Sequence, residues 1–86
     1  MGRKEKLLHR FLSKPKDFSY DELKRLLGDF GYSTARTGRA SGSRVAFVQE
    51  RTKHVIRLHK PHPSQILKRY QLDYIEEELR NVGAIE

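Results

Sequence analysis

Residues 43–59 read Ser43-Arg44-Val45-Ala46-Phe47-Val48-Gln49-Glu50-Arg51-Thr52-Lys53-His54-Val55-Ile56-Arg57-Leu58-His59, and the period of this stretch decides the fold. Side chains alternate across a strand, so a period of two separates a buried face from an open one. Residues 43–48 and 55–59 both have that period and the β-branched content of strands, with residues 49–54 as the turn between them. Val45 and Phe47 are assigned to the core on the first strand, and Ile56 and Leu58 on the second. Arg44, Ala46, Val48, Val55, Arg57 and His59 then face the other way. Arg44, Arg57 and His59 share that outer face, which is the candidate site. Upstream, residues 32–37 have the composition of a third short strand. The sequence Gly38-Arg39-Ala40-Ser41-Gly42 supplies a flexible turn between the two.

Helical patterns flank this β segment. Leu7, Leu8, Phe11 and Leu12 form one helical face over residues 3–13, ended by Pro15. Ser19-Tyr20-Asp21-Glu22 is a capping box opening a second helix, whose stripe is Tyr20, Leu23, Leu26, Leu27 and Phe30 and whose C-terminal cap is Gly31. Pro61 and Pro63 stop the last strand and bracket His62. A final helix is expected from Tyr70 or Gln71, with Leu72, Ile75, Leu79 and Val82 on one face and Gly83 past its end. The order α, α, β, β, β, α implies a single α+β domain over 1–86, with helices on one face of a three-stranded antiparallel sheet and the other face open.

Composition narrows the function. The chain has 86 residues, 36% of them hydrophobic and 34% charged, which is too apolar and too patterned for disorder. It contains no cysteine, which excludes a disulfide scaffold, thiol catalysis and Cys-ligated zinc. No apolar run approaches the roughly 20 residues that span a bilayer, and the first residues lack an apolar stretch of signal-peptide length. The expectation is a cytoplasmic protein without a membrane partner. The net charge is +7, unevenly spread: +3 on residues 1–32, +8 on 33–72 and −4 on 73–86. Concentrated charge of this kind is the footprint of a polyanionic partner.

The sequence Leu27-Gly28-Asp29-Phe30-Gly31-Tyr32, a basic strand, Gly42-Ser43-Arg44, a second strand and Leu58-His59-Lys60-Pro61-His62-Pro63 before a last helix together resemble the HicA (YcfA-like) toxins. These are small ribonucleases of toxin–antitoxin pairs. The resemblance covers residues 17–85, leaving 3–13 as an added N-terminal helix. It implies the αβββα fold of double-stranded-RNA-binding domains, cleavage of mRNA as an mRNA interferase, and silencing by a HicB-type antitoxin protein. The family pattern reads Gly-Ser-His, its histidine being the presumed catalytic residue; here Gly42 and Ser43 are followed by Arg44. A guanidinium holds phosphate but does not act as a general base near neutral pH.

Metal-independent RNA cleavage, with no cofactor, needs a base for the 2′-hydroxyl, cations for the phosphate and an acid for the leaving oxygen. Histidine, with an unperturbed pKa of about 6.5, suits the first and last roles. His59 and His62 are the catalytic candidates, with Gly42, Ser43, Arg44, Arg57, Lys60, Arg36 and Arg39 as RNA- or phosphate-binding candidates. The alternative is that His59 and His62 only shape the strand–helix connection. His9 and His54 are expected to be solvated, and a metal site from His54, His59 and His62 is disfavoured on so basic a segment. Tyr32, Tyr70 and Tyr74 are able to stack on bases, although tyrosine's burial habits assign them to core or rim. Two readings compete with a ribonuclease: a non-catalytic RNA- or DNA-binding module that has lost the family histidine, and an interaction domain for an acidic protein.

Overall fold

The computed structural model describes residues 2–35 and 44–85. Helix α1 spans Arg3–Leu12 and α2 spans Tyr20–Asp29. Strands β1 (Tyr32–Ala35), β2 (Arg44–Gln49) and β3 (Val55–His59) follow, and α3 (Arg69–Asn81) closes the order. The three strands form one antiparallel sheet in the order β1-β2-β3. The described residues thus form an α+β architecture of three helices and a three-stranded antiparallel sheet.

The register settles which side chains share a face. Val45 pairs with Leu58 and Phe47 with Ile56, and all four belong to or pack on the hydrophobic core. The alternate set holds Arg44 opposite His59, Ala46 opposite Arg57 and Val48 opposite Val55. The phase read from the sequence is thus correct for both strands. Strand β2 is described from Arg44 and runs on to Gln49, one residue past the expected end, where it pairs with Tyr32; Ser43 of the expected strand lies outside the described residues. Residues 36 and 37 of the expected first strand lie outside the described residues.

One core joins every helix to the sheet. It combines Phe11 of α1, Leu23, Leu26 and Leu27 of α2, Phe47 and Ile56 of the sheet, and Leu72, Ile75 and Leu79 of α3. The Phe11 and Phe18 rings meet edge-on with centroids 5.6 Å apart, so α1 is built into this core and not laid over it. The segment before α3 also contributes, in a way that its sequence did not signal. Leu67 donates its amide to the Phe18 carbonyl and Tyr20 donates its amide to the Gln65 carbonyl, which pairs Ser19 with Ile66 and buries Leu67.

Local chemistry sets the element ends. Ser19 accepts the Glu22 amide at 3.1 Å and Glu22 Oε1 accepts the Ser19 amide at 3.0 Å, completing the capping box. Past α2, Gly31 has φ +87, a backbone conformation that favours glycine, and a Cβ there would lie 2.8 Å from the side-chain Nε2 of Gln49 and push that side chain aside. Gln49 itself donates to the Phe30 carbonyl and accepts from the Arg51 and Thr52 amides, tying the α2–β1 corner to the β2–β3 turn. Among the described residues, no helix is long and apolar enough to cross a membrane.

Two ionic clusters hold the helices. Arg10 forks onto Glu22, with Nε 2.8 Å from Oε2, and also reaches Asp17. Lys14 joins α1's C-terminal turn to Asp73 and Glu76 of α3. The Arg10 hydrogen bond, helped by the Ser19 amide, holds the Glu22 carboxyl down at about 2 from an ordinary 4.5. Lys14 likewise lowers Glu76 and Asp73. A depressed carboxylate stabilises the fold fully above its unfolded-state value and ceases to do so as pH falls through its folded one. The thermal midpoints of Glu22→Gln and of the parent chain are therefore expected to differ most near neutral pH and to converge as the pH falls from 4.5 toward 2. Melting curves taken across that window check this; a constant offset at all pH values contradicts it.

Candidate functional site

The outer sheet face is built from rows of directly paired residues. Ala35, Ala46 and Arg57 form one row across the three strands, and Arg44 with His59 forms the next. Side chains directly opposite on an antiparallel pair have Cβ atoms about 4.5–5.5 Å apart. The guanidinium-bearing Arg44 and the imidazole of His59 are therefore immediate neighbours, and both are exposed. Arg57, two residues before His59 on β3, is exposed on the same face. Between these cations Ala46 is buried and Ala35 half-buried, so the exposed groups of this face are the cations themselves, while Val48 and Val55, half-buried, continue it toward the β2–β3 turn.

Beyond His59 the chain turns out of the sheet and forms a cleft with the start of α3. This cleft, about 170 Å³, is lined by His59, Lys60, His62, Lys68, Tyr70 and Gln71, among others. It brings together both histidines singled out in the sequence. Its geometry is held by Gln71, a residue that sequence reasoning passed over. Only 6% exposed, Gln71 donates from Nε2 to the His59 carbonyl at 2.9 Å and accepts the Lys68 amide at 3.0 Å. One side chain thus ties the end of β3 to the start of α3. The same bond to Lys68 explains why α3 begins at Arg69, before the expected Tyr70 or Gln71. A glutamine three residues after the cap was the available signal.

Of the remaining residues in this segment, Lys60 is half-buried, with Nζ 5.1 Å from the centroid of the Tyr20 ring while it also borders the cleft. His62 is exposed. Arg36, Arg39, Gly42 and Ser43 lie outside the described residues. Among the described residues, no group of three or more histidines or carboxylates is placed to hold a metal ion.

Two expectations need correction. His54 is not a solvated turn residue: its Nδ1 lies 2.7 Å from the Tyr32 hydroxyl and its Nε2 3.0 Å from Glu78 Oε1. The ring bridges the first strand and the last helix, which places it away from the cleft in a supporting role. Tyr32 is correspondingly buried, and burial together with the Glu78 charge raises its phenol above the ordinary value. The three tyrosines also do not behave alike. Tyr32 belongs to the core, but Tyr70 is 66% exposed at the cleft and Tyr74 is also exposed, so neither is a core residue.

Comparison with protein-family models, with curated proteins and with solved structures finds no match to this chain.

Proposed function

We propose that this chain is a HicA-like endoribonuclease, an RNA-binding toxin whose site spans the outer sheet face and the β3–α3 cleft. The observation that carries this reading is the pairing of Arg44 with His59, one strand end from a cleft that also holds His62 and Lys60. This is the histidine-plus-cation set that metal-independent cleavage of RNA requires. One histidine removes the 2′-hydroxyl proton as that oxygen attacks phosphorus; the other returns a proton to the departing 5′-oxygen. Arg44, Arg57 and Lys60 stabilise the extra charge on the phosphate. The sheet and helix order further supports a double-stranded-RNA-binding-domain-like arrangement, with the helices against the Phe47–Ile56 face. The basic outer face suits silencing by an acidic antitoxin of the HicB type, in the cytoplasm where mRNA is met.

A second reading has its own observation. Arg44 stands where the HicA pattern has histidine, so the same face is also suited to binding RNA or DNA without cutting it. Purified chain incubated with RNA in EDTA separates the two: product formation supports the ribonuclease, and binding without product supports the module.

Both readings predict salt-sensitive binding. If Arg44, Arg57, Lys60 and Lys68 each meet one phosphate, log K should fall against log salt with a slope of about −2.8 on single strands. From 50 to 200 mM salt that is roughly a 50-fold loss of affinity. Arg57→Ala is expected to make the slope shallower by about 0.7, measured by fluorescence anisotropy across a salt series.

A further inference from the structure

The double-stranded-RNA-binding-domain-like arrangement suggests a duplex ligand, but the cleft favours a different one. We propose that the β3–α3 cleft receives one unpaired base of a single RNA strand, stacked on Tyr70, with Lys60 and Lys68 toward the flanking phosphates. This rests on the reading of the chain as an RNA binder and goes beyond it by naming the strand state and the residue that senses it.

Three observations support the assignment. Tyr70 is the most exposed large hydrophobic side chain among the described residues, at 66%, and it borders the cleft that contains His59 and His62. An aromatic ring left so open beside two histidines contributes little to folding, whereas Tyr20 and Tyr32 are both in the core. Second, the cleft holds about 170 Å³. An enclosed cavity of roughly 150 Å³ admits a benzene-sized ring, so this open cleft has room for a single planar ring system. Third, its polar lining is cationic and imidazole-bearing, with Lys60, Lys68, His59 and His62 and no carboxylate. That lining matches a nucleotide, which presents an apolar π-face beside a phosphate, better than it matches an acidic peptide.

The physical consequence is selectivity by strand state. Bases within an A-form duplex are already stacked and their faces are not available, whereas a single-stranded nucleotide can turn its base out onto an aromatic side chain. Cleavage or binding would then fall on unpaired regions even though the sheet face itself attracts any phosphate backbone. Stacking alone reads no base identity, so the selectivity is for strand state and not for sequence.

The test uses the full chain and three probes in anisotropy titrations at one salt concentration: a labelled single-stranded RNA, the fully paired duplex of the same sequence, and inorganic polyphosphate as a competitor. The expected result is that the single strand binds more tightly than the duplex. Tyr70→Ala should weaken single-strand binding by about 5- to 150-fold while leaving duplex binding and polyphosphate competition unchanged. Tyr70→Phe, which keeps the ring, should bind like the parent. Circular dichroism melting confirms that both variants fold. Equal single-strand affinity in Tyr70→Ala and the parent, or tighter binding of the duplex, overturns the base-stacking assignment and leaves the RNA-binding reading standing. Absence of binding to either RNA, with the parent chain folded, overturns both.

Discussion

Replacing His59 with alanine is expected to slow RNA cleavage by about 10²–10⁴-fold, the usual contribution of a positioned acid or base. The effect should fall on the chemical step and not on folding, because the His59 side chain is exposed and its carbonyl, which Gln71 holds, survives the substitution. His62→Ala should lose activity on the same scale, since it lines the same cleft and, in the proposed reading, is the partner for the second proton transfer. His9→Ala is the matched control: His9 is exposed on α1, far along the chain from this cleft, and its loss should change nothing. The measurement is the rate of product formation from RNA in EDTA, paired with thermal melting of each variant. Expression in a bacterial host gives a second readout, growth arrest by the parent and its loss in the variants. If His59→Ala and His62→Ala each retain cleavage and growth arrest, the proposed site is wrong.

Phe11→Ala is expected to bring the chain close to unfolding at ordinary temperature. Emptying a fully buried phenylalanine position costs about 3–5 kcal/mol. A domain of 86 residues has a total stability of roughly 4–13 kcal/mol, so a single truncation on α1 removes a large share of it. With a shift of about 4–8 °C per kcal/mol in a domain of this size, the midpoint should drop by at least about 12 °C. The prediction distinguishes two descriptions of α1. Its sequence lies outside the stretch that resembles the HicA family, which suggests an appendage that could be lost cheaply. The Phe11–Phe18 contact and the Arg10–Glu22 fork instead make it one wall of the common core. An appendage would show a loss below about 1 kcal/mol, and calorimetry or urea unfolding separates the outcomes.

Much of the site was legible because a strand has a period of exactly two residues per repeat of its face. Once Val45, Phe47, Ile56 and Leu58 are assigned inward, the outward position of Arg44, Arg57 and His59 follows without further information. The capping box at Ser19 and the left-handed glycine at Gly31 were legible for the same local reason, each being a backbone requirement met by one residue type. His54 was misread because its partners, Tyr32 and Glu78, are 22 and 24 residues away. No local pattern distinguishes a turn histidine that meets two such groups from one that meets water. Tyr70 and Tyr74 were likewise grouped with Tyr32, since amphipathic residues at an element flank have no periodic signal for which side they take.

The sequence alone determined the α+β order, the phase of β2 and β3, and a basic block centred on the sheet, because all three depend on residues close along the chain. The tertiary structure alone decided that α1 shares the core, that Gln71 ties β3 to α3, and that His59, His62 and Tyr70 border one cleft. These are meetings of segments separated by loops, whose lengths constrain the path of the backbone but not where it closes.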